Sequence, residues 1–219
     1  MKLDFNLIQE NLNQLSVVNL EEQLSKRACV ALILSNMDEN VDVQTEYKNQ
    51  KVDSILLIKR STHPKDPWSG QWALPGGKQD PDDKNDFHTA TREVYEEIGL
   101  RLDSHQMLGF LSDLQARRHG DPVDFFVRPL VFYSGSALTC DFVLNTEEVA
   151  QAKWFPLQSL LEPHRHHVFE RSYQGRSFQL PGIHLGPNEV LWGLTYIILT
   201  DFLQSQNLLP EYWKKYTRI

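Results

Sequence analysis

Arg92, Glu93, Glu96 and Glu97 fall within one short run, Arg92-Glu93-Val94-Tyr95-Glu96-Glu97-Ile98-Gly99-Leu100. On an α-helix, Glu93 and Glu97 stand about 40° apart and Glu96 about 60° to the other side of Glu93, so three carboxylates share one face. Phe87, Ala90, Val94 and Ile98 form a neighbouring apolar arc that can pack under a sheet while the acids look outward. Like charges at these spacings cost a helix about 0.2–0.5 kcal/mol per pair. Arg92, four residues before Glu96, can pair with that carboxylate and leave Glu93 and Glu97 to hold a hard divalent cation, Mg²⁺ or Mn²⁺, through oxygen. Taken alone, the helix has a second reading, a solvated acidic face.

These side chains need elements to carry them. Asp and Asn residues suited to capping precede Phe87, and Gly99 follows Ile98, so a helix is expected over Phe87 to Ile98. Upstream, Ser61 to Asp86 is dense in Pro, Gly, Asp and Trp and reads as loops and turns; a long irregular stretch inside a compact domain usually serves function. Ala28 to Leu34 and Ser54 to Ile58 are apolar runs of strand length. Strands are also expected at Leu108 to Leu111, over Phe125 to Tyr133 and around Trp154-Phe155, with a short helix after the last. His167 to Leu185 alternates like a hairpin. Glu189 to Gln204 reads as a final helix with Leu191, Leu194, Ile197, Ile198 and Phe202 inward. Strands mixed with a few helices, without strict alternation, argue for an α/β fold with a mixed sheet covered by helices. Leu3, Leu7, Ile8, Leu12 and Leu15 have helical spacing, so residues 1–27 read as an N-terminal helical extension to a domain over 28–219.

The chain has 219 residues, 41% hydrophobic and 23% charged, which suits one folded domain with extensions. Its net charge of −7 offers no broad basic footprint, so no nucleic-acid polymer is expected as partner. Cys29 and Cys140 make neither a zinc ribbon nor a disulfide framework, and buried thiols are the default. The N-terminus lacks a secretion signal, and the apolar stretch from Val190 to Leu203 is broken by Gly193, Thr195, Thr200 and Asp201. A cytoplasmic protein without membrane association is expected. His164, His166 and His167 read as solvated loop histidines.

The run from Gly77 to Leu100 resembles the Nudix box, GX5EX7REUXEEXGU, where U is a bulky aliphatic residue. Arg92 to Leu100 fits the second half at every specified position, and Gly77 fits the opening glycine. Asp83 stands where the first Glu is expected, and eight residues rather than seven separate it from Arg92. Asp80 and Asp83, the segment Leu56 to Ser61, then Gly70, Leu74-Pro75-Gly76-Gly77 and Trp192-Gly193-Leu194-Thr195 are similar to the coenzyme A diphosphatase branch of that family. Leu74 replaces a Phe of that pattern, and Lys65 an Arg.

The resemblance implies a Nudix-type α/β/α sandwich and metal-dependent cleavage of a phosphoanhydride in a small phosphorylated metabolite. Coenzyme A or an acyl derivative leads, with nucleoside diphosphate sugar or ribose conjugates behind. It implies Glu93 and Glu97 as metal ligands, with the Gly76 carbonyl as a further one and the Gly76-Gly77 turn bringing backbone to the site. Glu96, Glu147 and Glu148 are candidates for the base. Lys59, Arg60, Lys65, Arg117, Arg118 and His119 are candidates for phosphate contact, and Trp68, Trp72, Phe125 and Phe126 for stacking on a base or for packing. By analogy a homodimer is possible. A non-catalytic Nudix-fold module that binds such a metabolite is the alternative.

Overall fold

The structure, a computed structural model, describes residues 2–37, 51–64, 68–118, 121–136, 141–173, 176–210 and 213. Strand β1 (Leu3–Asp4) leads into helix α1 (Phe5–Asn13), followed by β2 (Arg27–Asn36), β3 (Lys51–Val52) and β4 (Ser54–Arg60). Short strands β5 (Trp72–Ala73) and β6 (Gly76–Lys78) precede helix α2 (Asp86–Ile98). Then come β7 (Met107–Phe110), β8 (Leu114–Arg118), β9 (Asp121–Ser136), β10 (Val149–Pro156) and the short helix α3 (Leu157–Leu160). Strands β11 (His166–Tyr173), β12 (Arg176–Gly186) and β13 (Glu189–Trp192) lead to helix α4 (Gly193–Ser205).

The main sheet runs β10-β4-β2-β9-β7, with β5 on β4, β6 on β2 and β8 on β9. Strands β2 and β9 are parallel and the other pairs antiparallel, so the sheet is mixed as its composition suggested. Its central strand carries Ala31, Leu32, Ile33 and Leu34 without solvent exposure. A strand buried on both faces has no polar side to alternate with, hence the continuous apolar run.

Each face has its own core. Ala31, Ile33, Leu56, Ile58, Leu130 and Phe132 meet Ala90, Val94 and Ile98 of α2. On the opposite face Leu32, Leu34, Leu57, Val131 and Tyr133 meet Phe5, Ile8 and Leu12 of α1 and Ile198, Leu199 and Phe202 of α4. This is an α/β/α sandwich. Asp4 caps α1 by accepting the N–H groups of Asn6 and Leu7 at 3.0 and 3.4 Å, and Asn11 on that helix donates to Gln206 at 2.9 Å. None of the described helices is long and apolar enough to cross a membrane.

Three expectations need correction. Residues 61–86 are not wholly irregular, since β5 and β6 pair with β4 and β2; both are so short that Gly and Pro dominate their local composition. The final helix starts at Gly193, because Glu189–Trp192 pairs as a strand with Gly182–Gly186. Gly193, at φ 68°, makes the turn between them, and the shifted start leaves Ile197 40% exposed while Tyr196 and Leu203 are buried. Finally, His166 is buried with Nε2 2.8 Å from the Leu160 carbonyl and its ring 3.9 Å from that of Trp213, so it is a packing residue.

Candidate active site

Helix α2 starts where Asn85 accepts the His88 N–H at 2.9 Å, and ends where Gly99, at φ 72°, donates to the Tyr95 carbonyl at 2.9 Å. The three glutamates on it do not share one environment. Glu97 is 2% exposed, Glu93 is half-buried and Glu96 is exposed. The expectation that all three look outward fails for Glu97, because its side borders the apolar arc and dips toward the β2–β6 edge.

At that edge β6 runs antiparallel to β2, with Gly76 opposite Val30 and Gly77 opposite Cys29. Gly76 has φ 141°, and a Cβ there would strike the Cys29 carbonyl oxygen. A Cβ on Gly77 would strike the Glu93 carboxylate. The two glycines thus let bare backbone lie against both acids. The Gly76 N–H donates to Glu97 Oε2 at 2.9 Å.

Arg92 organises the rest. Its Nε and Nη2 donate to the two oxygens of Asp83, each at 2.9 Å, and Nη2 also reaches the Lys78 carbonyl at 3.1 Å. Its Nη1 donates to Glu96 at 2.9 Å and to Glu93 at 3.0 Å. The guanidinium fork therefore joins the loop before α2, the end of β6 and two of the three acids. The expected Arg92–Glu96 pair is present, but Glu93 is not left clear of it. Asp83, whose role the motif left open, is the bidentate partner. The aspartate is one methylene shorter than a glutamate, and the extra residue before Arg92 lets the loop bring it into reach.

The electrostatics follow from burial and partners. The Arg92 guanidinium, then the Asp80 N–H, hold the Asp83 carboxyl well below the usual range, and Asp83 in turn raises Arg92. Burial pushes Glu97 up to about 8 against the Gly76 hydrogen bond, with Glu93, then Glu148, adding like charge. Burial also raises Glu93, against Arg92, with Glu96 and Glu148 reinforcing it. An anionic cluster held against its own repulsion fits a divalent cation, whose charge reverses that cost.

The donor set is hard oxygen. Among the described residues no three His, Cys, Asp or Glu side chains form a complete cage. Two carboxylates beside exposed backbone suit a cation such as Mg²⁺, which takes much of its coordination from substrate phosphate and water.

Residues 40–174 match the model of the NUDIX domain. The chain belongs to the Nudix family. It is 31% identical over 177 residues to Nudix hydrolase 3 of Caenorhabditis elegans, covering 74% of this chain and 70% of that one. It is likewise 31% identical over 157 residues to the uncharacterized Nudix hydrolase NudL of Yersinia pestis, covering 71% and 73%. In fold it is similar to a MutT/nudix family protein from Enterococcus faecalis, with TM-score 0.53 and 16% identity over 94% of this chain and 70% of that one. The protein is a Nudix hydrolase acting on phosphorus anhydrides, a diphosphohydrolase of nucleotide-like substrates, and enzymes of this family generally use divalent metals such as Mg²⁺ or Mn²⁺.

Around the Nudix helix the remaining candidates separate. The 142–149 segment docks on its C-terminal end, with the Val143 and Asn145 N–H groups on the Ile98 and Glu97 carbonyls at 3.0 and 2.9 Å. Asn145 was not singled out from the sequence, although an Asn before Thr-Glu-Glu is a turn signal. Its carbonyl accepts from Glu148 and Val149 at 3.0 and 2.8 Å, and the Ser61 N–H holds the Glu148 carbonyl at 2.8 Å. Glu148 is thereby kept beside Glu93 and Glu97, whose titration its charge affects. Glu147 is exposed, and its carbonyl lies 2.8 Å from His63 Nε2. Arg60, at the end of β4, is close enough for its charge to act on Glu97.

Others lie elsewhere or are occupied. Lys59 pairs with Glu189 at 2.6 Å. Trp72 and Phe126 are buried, Trp68 is 60% exposed and Phe125 is half-buried away from the Nudix helix. Arg117 is an exposed residue of β8. Lys65 and His119, the Arg118 side chain and Cys140 fall outside the described residues; Cys29 is a buried free thiol whose pKa burial pushes up to about 12.

Proposed function

We propose that this Nudix hydrolase cleaves the diphosphate of coenzyme A or an acyl derivative at a site built on Glu93 and Glu97, with ADP-ribose-like conjugates as the next substrate class. One observation carries the site: Glu97 and Glu93 each meet the backbone of Gly76-Gly77 where no Cβ fits. The close approach sets backbone polar groups directly against both carboxylates, where a cation shared with a substrate phosphate would be held. The coenzyme A reading rests on Leu56 to Ser61, Gly70, Leu74 to Gly77 and Trp192 to Thr195, the segments similar to that branch.

Glu93, Glu97 and the Gly76 carbonyl hold the metal. When bound, Mg²⁺ or Mn²⁺ neutralises charge on the diphosphate oxygens and favours attack of water at phosphorus. Arg92 fixes Glu93 and Glu96 in place, and Asp83 fixes Arg92. Arg60 meets a substrate phosphate from the side of β4. Glu148 accepts the proton of the attacking water; both Glu96 oxygens are not available on equal terms because one is bound to Arg92. Glu96 keeps the helix face anionic and holds Arg92 at its second end.

The test is product release from coenzyme A, ADP-ribose, nucleotide sugars, dinucleoside polyphosphates and nucleoside triphosphates with Mg²⁺ or Mn²⁺, comparing wild type, Glu93→Gln and Glu148→Gln. Cleavage of coenzyme A within its diphosphate, lowered about 10²-fold or more in Glu148→Gln and further in Glu93→Gln, is expected. Cleavage of another class alone would overturn the coenzyme A reading. Tight binding without turnover of any would make the chain a binding module.

A further inference from the structure

Thr146, Glu147 and Glu148 form a turn between the segment docked on α2 and the start of β10, and all three are exposed. Before them the partly buried Phe142 and Leu144 pack into the core beneath α2, and after them Val149 is buried. No apolar burial fixes the turn itself, so hydrogen bonds must set where Glu148 stands.

Those bonds come from two sides. On the helix side the Asn145 N–H is held by the Glu97 carbonyl at 2.9 Å, the Asn145 carbonyl accepts from Glu148 and Val149, and Asn145 Oδ1 accepts the Glu147 N–H at 3.3 Å. On the strand side two residues that follow β4 take three successive carbonyls. Ser61 Oγ donates to Thr146 at 2.9 Å, His63 Nε2 lies 2.8 Å from the Glu147 oxygen, and the Ser61 N–H donates to Glu148 at 2.8 Å. A carbonyl only accepts, so Nε2 carries a proton in that contact.

Ser61 and His63 are held in turn. The Arg60 N–H donates to the Gln71 carbonyl at 2.9 Å, Gly70 at φ 68° turns the chain, and Ser69 Oγ accepts the His63 N–H at 2.6 Å. Arg60, the proposed phosphate contact, pairs with Val149 across the β4–β10 ladder. The turn that carries Glu148 is thus tied to the Nudix helix on one side and to the strand end bearing Arg60 on the other.

We propose that Ser61 and His63 are positioning residues, gripping the carbonyls of Thr146 and Glu147 and so fixing the Glu148 carboxylate beside Glu93 and Glu97 for proton transfer from the attacking water. The proposal rests on Glu148 as the base in the reading above. A base works only within hydrogen-bond reach of the proton it takes, so a turn loosened by about 1 Å loses rate rather than substrate affinity.

The experiment measures kcat and KM for coenzyme A, or for whichever diphosphate of the panel is turned over, in Ser61→Ala, His63→Ala and His63→Gln, each in wild type and in Glu148→Gln. His63→Ala is expected to lower kcat about tenfold, the worth of one hydrogen bond, with KM little changed. His63→Gln, which keeps a donor near the Nε2 position, should restore most of that loss, and Ser61→Ala should behave as His63→Ala does. In Glu148→Gln none of the three should cost more, because the group they position is already gone. An unchanged kcat in His63→Ala, or the same fold-loss in both backgrounds, overturns the proposal while leaving Glu148 as the base. If Glu148→Gln is as fast as wild type, or if nothing is turned over, the base reading fails and amide hydrogen exchange at Glu148 and Val149 decides whether the grip exists. Exchange about tenfold faster in His63→Ala, slowed again in His63→Gln and unaltered at the Gly99 N–H on α2, supports it; unchanged exchange at Glu148 and Val149 overturns it.

Discussion

Glu97 is set in conflict with its surroundings, so replacing it by Gln should stabilise the metal-free protein. Its carboxyl is 2% exposed, and burial lifts its pKa from 4.5 to about 8. In the unfolded chain it ionises near 4.5, so between those values the unfolded state has released a proton that the folded state retains. Stability from this group is therefore fully present below pH 4.5 and is lost as pH rises toward 8, at about 1.4 kcal/mol for each pH step. By pH 7 the loss is about 3 kcal/mol. A Gln removes the charge and its carbonyl can still accept the Gly76 N–H. At pH 7 in EDTA, Glu97→Gln should unfold roughly 5–10 °C higher than wild type.

The same substitution removes a proposed metal ligand, so added Mg²⁺ should reverse the order. Wild type gains RT ln(1 + [Mg²⁺]/Kd), about 2.7 kcal/mol at a hundredfold excess over Kd, while the variant gains little. Thermal or urea unfolding at pH 4.5, 6, 7 and 8, with EDTA and with Mg²⁺, reads every term. A variant advantage that does not grow from pH 4.5 to 8, or that survives saturating Mg²⁺ unchanged, would refute the reasoning that burial of this charge is maintained for a cation.

Gly77→Ala should lower kcat by about 10²-fold or more, because its Cβ must displace the Glu93 carboxylate and misplacements of about 1 Å carry that cost; a single-turnover assay with Mg²⁺ titration shows whether metal affinity falls with it. Asp83→Ala should cost about 3 kcal/mol by leaving Arg92 without its bidentate partner, measured by urea unfolding at pH 7. Because Asp83 titrates well below its ordinary value of 3.8, its stabilisation is present above pH 3.8 and is lost only as pH falls further, so the gap between Asp83→Ala and wild type should narrow in acid.

The fold was legible where burial dictates pattern. The continuous apolar run of β2 and the capped helix over Asp86–Ile98 follow from local chemistry, since a strand covered on both faces and a helix covered on one leave different periods. The short strands β5 and β6 were not legible, because pairing through two or three residues with Gly76 and Gly77 among them leaves no side-chain period to read. Nor was Glu189–Trp192, where four strand residues run straight into helical spacing and only a positive φ at Gly193 marks the junction.

Within the site, the spacing of Glu93, Glu96 and Glu97 shows that they share a face but not how deep each lies. Depth is a property of what covers the helix: β6 lies against both Glu93 and Glu97, and the 142–149 segment adds its cover at the Glu97 turn. That asymmetry divides the chemistry among three similar carboxylates. The buried one is raised by burial and is the proposed cation ligand, the half-buried one lies between Arg92 and the bare Gly77 backbone, and the exposed one anchors Arg92. Asp83 completes the division from outside the helix, since an arginine held at both ends cannot swing away to neutralise Glu97. A site that kept Arg92 but lost Asp83 would free the guanidinium to compete with the metal, so the loop before the helix is as much a part of the proposed cation site as the acids themselves.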